Sequence, residues 1–181
     1  VSLSYTERMQ ATISRRHRTL TTKLLGTLSY TQENGTMMDA VIPLDGKEVK
    51  VDYSIFEKLT SEDYFKDIVT LTDQIPELHL EAKKTILEQF DGNDTLTIYF
   101  DFHTDELPEA VLEVTECDAL ENITKEILID KLVLSGVWFS ENANNELDLT
   151  FDFKLLPEVS DELLVVRFNT KGEITELTHE S

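Results

Sequence analysis

The pattern that most narrows what this chain can fold into lies near its end. Leu147, Leu149, Phe151 and Phe153 alternate with Glu146, Asp148, Thr150 and Asp152. A period of two puts the large apolar side chains on one face of a strand and the carboxylates on the other. Such a strand needs neighbours for its backbone and a cover for its apolar face, while its acidic face stays in water. An antiparallel sheet covered on one side meets both demands. The flanking sequence supplies more of it: Val137–Phe139 precede the turn-like stretch Asn142–Asn145, so residues 137–153 read as a hairpin. Leu163–Phe168 reads as a more buried strand, which Lys171 and Gly172 turn toward Ile174 and Leu177.

Earlier in the chain a small antiparallel meander is expected. Leu24–Tyr30 has strand character, Asn34 and Gly35 signal a turn, and Met38–Pro43 offers a second strand. Asp45 and Gly46 then turn the chain into a third, with Val49, Val51 and Tyr53 on one face. The period lengthens after that. Thr60 and Asp63 resemble a capping pair for a short helix bearing Tyr64, Phe65, Ile68 and Leu71. Pro76 suits the first turn of a second helix, on which Leu78, Ala82, Ile86 and Phe90 recur every four residues until Asp91–Asn93. Leu96, Ile98, Phe100 and Phe102 alternate with Thr97, Tyr99 and Asp101, which argues for a strand. Glu106–Asn122 reads as a linker with short helical pieces, and Thr124–Leu134 as a third helix that Gly136 ends. The fold class expected from this order is α+β: a single domain with an antiparallel sheet and a helical middle segment.

Charge divides the chain unevenly. Against a net charge of −20, residues 1–25 hold Arg8, Arg15, Arg16, Arg18 and Lys23 with Glu7 as their only acid, a balance of +4. Residues 1–23 are therefore read as a basic N-terminal arm or helix that docks on the acidic body or frays, and residues 24–181 as the domain. A body this acidic repels nucleic acid and anionic membranes, so neither is an expected partner, whereas a basic protein is. The apolar runs are too short to cross a bilayer, and no secretory pattern is present, so a cytoplasmic location is expected. Cys117 is the lone cysteine and lies among Glu113, Glu116, Asp118 and Glu121. Those carboxylates disfavour a thiolate, and a buried or half-buried structural cysteine is the better reading.

No phosphate loop, dinucleotide fingerprint, zinc-protease histidine pair or nucleophile elbow occurs, and no cofactor is expected. Asp101, His103 and Asp105 would share one face of a strand, where two carboxylates and an imidazole could hold a divalent metal and His103 could act as a base. A solvated polar face explains the same three residues, and on a helix His103 would turn away from the two aspartates. His17, His79 and His179 read as surface or locally hydrogen-bonded histidines. For protein binding the candidates are the aromatic pair Trp138 and Phe139 and the acidic strand face of Glu146, Asp148 and Asp152. Against this stands the simpler reading, in which one aromatic enters the core and the acids serve solubility.

Five stretches resemble a family of uncharacterised bacterial proteins known as DUF2004: GTLSY at Gly26–Tyr30, IPLDGKEVKV at Ile42–Val51, YFDFHTDEL at Tyr99–Leu107, FDFKLLPEVSDELLVVRFNTKGEI at Phe151–Ile174, and HES at His179–Ser181. The resemblance implies an α+β protein and a helix around Tyr99–Leu107, against the local strand reading, and it transfers no catalytic residues. Proteins of this appearance are similar to immunity proteins of bacterial polymorphic toxin systems. The leading expectation is thus a non-enzymatic, acidic protein-binding domain, an immunity or accessory protein. A metal-assisted hydrolase using Asp101, His103 and Asp105, and a structural or regulatory homo-oligomer, are the alternatives.

Overall fold

The alternating segment forms a strand over Leu147–Lys154 inside a six-stranded sheet. The structure, a computed structural model, describes residues 17–31, 39–54 and 62–181. In these residues the chain runs β1 (His17–Thr22), β2 (Gly26–Thr31), β3 (Asp39–Leu44), β4 (Lys47–Tyr53), α1 (Glu62–Gln89), α2 (Asp94–Glu106), α3 (Pro108–Thr115) and a 3-10 turn at Leu120–Asn122. It continues through α4 (Lys125–Lys131), β5 (Val133–Glu141), β6 (Leu147–Lys154), β7 (Leu163–Phe168) and β8 (Ile174–Glu180). The architecture is α+β, and no helix of the described residues is long and apolar enough to cross a membrane.

The large sheet has the order β3-β4-β5-β6-β7-β8, so each strand lies beside its neighbour in sequence. Antiparallel pairing follows from short turns. Asp45 and Gly46 join β3 to β4 with φ of 50° and 74°, the positive values that a two-residue hairpin of primed type requires. The Asn142 side chain accepts from Asn144 N–H and Glu146 N–H between β5 and β6, and Asn169 does the same for Lys171 and Glu173 between β7 and β8. The exception is β4 with β5, which are parallel, Val51 opposite Val137, because the four helices of the described residues are inserted between them.

The helices reach the sheet through one face. Val49, Val51, Tyr53, Val137, Phe139, Leu149, Phe151, Phe153, Leu164, Val166 and Phe168 are buried there with Ile68, Leu71, Ile75, Ala82 and Ile86 of α1. Polar contacts pin the layers together. Tyr53 and Thr72 share a hydrogen bond of 3.1 Å, and burial pushes the Tyr53 phenol up to about 12. Leu155 N–H donates to the Tyr99 hydroxyl of α2 at 2.9 Å.

Four expectations are corrected. The two helices expected on either side of Pro76 are one, α1, with Pro76 inside it. An interior proline, which removes a backbone hydrogen bond and crowds the carbonyl of the preceding turn, costs about 3 kcal/mol, but the buried stripe Ile68, Leu71, Thr72, Ile75, His79, Ala82 and Ile86 runs on across it and keeps the helix whole. Residues 95–103 are helix rather than strand: Leu96, Tyr99, Phe100 and His103 are the buried set, spaced for a 3.6-residue period, while Ile98 is 59% exposed. Asn93 starts this helix, its side chain accepting from Thr95 N–H at 3.0 Å and Leu96 N–H at 3.3 Å. The expected third helix, Thr124–Leu134, is shorter: Thr124 is its cap, Lys131 its last residue, and β5 begins at Val133. Finally, the meander is split. The Leu24–Tyr30 strand pairs backward with β1 in a separate two-stranded sheet, while β3 and β4 join the large one.

The expected Asn34–Gly35 turn and the Thr60 capping position fall outside the described residues, as do residues 1–16 of the expected basic arm. The rest of that arm, His17–Thr22, is β1, a strand and not a helix. Its Leu20 and Thr22 are buried, and Leu24 N–H donates to the Asp73 carboxylate on α1 at 2.9 Å. Cys117 is half buried, with its thiol against the Thr115 carbonyl.

Candidate functional site

Since the helices use one face of the large sheet, alternation leaves the other face to be read from the pairing registers. One cross-strand row is Asp52, Trp138, Thr150, Arg167 and Glu176, from β4 through β8. The next is Gly136, Asp152, Val165 and Thr178. Ser140 faces Asp148 at one end, and Glu180 faces Leu163 at the other. Thr150 and Val165 are buried, so this face has a closed floor in the middle, ringed by the half-buried Trp138, Asp52, Asp148, Asp152 and Arg167.

Trp138 sits where the pattern is least like a plain solvated surface. Its indole nitrogen is buried and turned toward the Asp152 carboxylate without reaching full hydrogen-bond geometry with any described group. The same holds for Oδ1 of Asp152. Burial raises the Asp152 pKa, and the Trp138 N–H opposes that rise. Asp148 is raised as well, again by burial first, although Asn142 donates to its Oδ1 at 3.3 Å. Arg167 is committed sideways to Glu176 and Glu180. The ring of acids around Trp138 thus contains carboxylates held partly out of water, beside one amphipathic aromatic.

Of the residues singled out for protein binding, Trp138, Asp148 and Asp152 lie on this face. Glu146 lies at its rim, exposed in the β5–β6 turn, where Asn142 tethers it. Phe139 does not belong to it. The Phe139 ring is fully buried on the helix side, stacked on Tyr53 with centroids 4.9 Å apart and planes 3° from parallel. Alternation sends the two neighbouring aromatics to opposite faces, and the core takes Phe139.

The metal candidates do not converge. On α2, Asp101 and Asp105 are exposed, whereas His103 is fully buried against Tyr99. Among the described residues no group of three or more His, Cys, Asp or Glu is placed to hold a metal ion. His103 instead closes a hydrogen-bond chain: Nδ1–H donates to the Tyr99 carbonyl at 2.8 Å, which leaves Nε2 to accept from the Ser160 hydroxyl at 3.2 Å. Ser160 Oγ in turn accepts from Glu162 N–H, and the Glu162 carboxylate pairs with His179. Burial pushes the His103 pKa down, which suits a neutral ring that fastens the β6–β7 loop to α2. His79, read as a surface or locally bonded histidine, is buried and stacked on Phe153 at 5.7 Å.

Sequence reasoning missed Asp52, Arg167, Glu176 and Glu180 as members of the same sheet face as Trp138. They come from separate strands, and only the registers bring them together. In comparison with known proteins, no family model, no curated protein and no solved structure matches the chain.

Proposed function

We propose that this protein is a non-enzymatic acidic binding domain that receives a basic protein partner on the sheet face around Trp138. One arrangement supports the reading: a half-buried tryptophan on the side of the sheet opposite the helices of the described residues, with the Asp152 carboxylate beside its indole N–H, in a chain of net charge −20. An arginine or lysine of a partner can lie over the indole and take a carboxylate that is costly to leave half buried and unpaired. The wider negative field speeds encounter with a positively charged surface. In its specific form the proposal is an immunity or accessory protein of a bacterial toxin system, lying over the basic surface of a toxin. That form rests on the resemblance to DUF2004 proteins. The hydrolase alternative loses the residue trio that motivated it.

The test is direct binding of the full-length protein to the purified product of a gene encoded beside its own, at low and high salt. Complex formation that weakens with salt and is lost in Trp138→Ala and in Glu146→Lys/Asp148→Lys is the expected result. Binding that ignores all three substitutions would sink the proposal. Self-association through the same face, read as molar mass by light scattering, would replace it with the homo-oligomer.

A further inference from the structure

Four half-buried bases of the described residues are answered by carboxylates: Lys125 by Asp91, Lys131 by Glu116, Lys154 by Asp161, and Arg167 by Glu176 and Glu180. Lys83, on the C-terminal half of α1, is half buried and is not. Its ammonium donates to the Asp130 carbonyl at 3.1 Å, and among the described residues no carboxylate oxygen stands within ion-pair reach of it. Asp130 and Asp45 act on it only through space, while burial, the largest influence, pushes its pKa down. In a chain with 36 acidic and 16 basic side chains, a carboxylate is the easiest partner for the fold to provide. Its absence is therefore a property of this place.

The place is a cavity of about 280 Å³ where the β3–β4 turn, α1, the ends of α3 and α4 and the start of β5 meet. Three more nitrogen-bearing side chains line it, of which Lys131 is already paired with Glu116. Lys47 extends from β4, and His79 lies one turn before Lys83 on α1. The His79 ring is almost fully buried, and its Nδ1 lies 3.7 Å from the Asp45 carboxylate, too far for a hydrogen bond. Much of the remaining wall is aliphatic, from Val49, Val114 and Leu132.

We infer that this cavity binds a small oxyanion, a carboxylate or a phosphate, with Lys83 as its main partner and Lys47 and His79 completing the site. The bond to Asp130 uses one of the three ammonium protons of Lys83 and leaves two for a ligand. The aliphatic walls strengthen that charge-assisted contact by keeping water from competing. Asp45 acts as a competitor at the cavity wall, since its exposed carboxylate faces the same imidazole. The site shares no residue with the Trp138 face and does not depend on the protein-binding proposal.

Titration of the full-length protein with inorganic phosphate and, separately, with malonate tests this, followed by the NMR signals of the His79 ring and the Lys83 side chain. The expected result is saturable shifts at both residues with at least one anion, at millimolar Kd or tighter and at about 0.15 M ionic strength. Lys83→Met weakens that binding by about tenfold or more, and Asp45→Asn tightens it a few-fold. No saturation by about 10 mM of either anion, or curves unchanged in Lys83→Met, overturns the inference. Circular dichroism checks that Lys83→Met folds. Should it not, Asp45→Asn decides, because Asn tolerates the positive φ of that turn: tighter binding supports the site, and unchanged binding overturns it.

Discussion

The two faces of the six-stranded sheet carry opposite kinds of information. The helix-side face is built from Leu149, Phe151, Phe153, Val166 and Phe168, all buried, with Phe151 and Phe168 rings 4.8 Å apart. The other face mixes Trp138, Asp152, Arg167 and Glu176, and its polar groups are only partly paired. A face that only had to keep the sheet in water would leave its carboxylates exposed and its tryptophan inside. The difference teaches that the apolar period specifies the fold, while the departures from it on the opposite side are what the proposed binding face rests on.

The largest expected effect lies on the helix side. Phe151→Ala removes a fully buried ring and should cost about 3–5 kcal/mol of stability, read from chemical denaturation. Partner binding per folded molecule should be unchanged at temperatures below the lowered Tm. Trp138→Ala reverses the pattern. It should weaken partner binding by about 2 kcal/mol or more, roughly thirtyfold, and lower stability less than Phe151→Ala does. If Trp138→Ala instead destabilises the protein as much as Phe151→Ala, the two faces are not different in kind and the comparison breaks.

How much of this was legible in the sequence differs between elements for physical reasons. From Val137 onward the strands were readable because alternation and turn chemistry agree there: Asn142 and Asn169 both make the local bonds their residue type favours. The α2 segment misled because Leu96, Ile98, Phe100 and Phe102 alternate, while the buried set is Leu96, Tyr99, Phe100 and His103. Asn93 followed by Asp94 was the available signal for a helix start. Pro76 misled in the other direction, since local chemistry predicts a break and tertiary burial on both sides overrides it. The β1–β2 hairpin was cut in two by a boundary drawn on charge and on the strand character that begins at Leu24, because neither reports which segments pair. At the candidate site, Trp138, Asp148 and Asp152 were legible from local alternation. Asp52, Arg167 and Glu176 were not, because registers between distant strands leave no local mark.

Asn93→Ala tests the α2 correction with a smaller effect. Removing the side-chain oxygen that accepts from Thr95 and Leu96 should cost about 1 kcal/mol. The loss should appear as faster amide hydrogen exchange in the first turn of α2, with the sheet unaffected. An effect near zero would mean that packing of Leu96 and Tyr99 alone holds the segment helical.

The smallest expected effect is the sharpest test of the sheet face. Burial raises the Asp152 pKa above its ordinary value of 3.8, so the folded protein holds that proton more tightly than the unfolded chain does. The sign follows: Asp152 favours folding below 3.8 and disfavours it once pH has risen through the raised folded value. Asp152→Asn removes the ionised form while keeping the shape. At neutral pH it should therefore stabilise the protein, by less than Asn93→Ala costs, because the Trp138 N–H, Arg167 and Lys154 offset part of the burial cost. The gap between variant and wild type should close as the solution is acidified, and partner binding should weaken in the same variant. A carboxylate whose removal helps the fold and harms the complex is held in place by the contact and not by the core. If Asp152→Asn destabilises instead, the Trp138 N–H supports that carboxylate as part of the architecture, and the Trp138 face is structural in the same sense as the other.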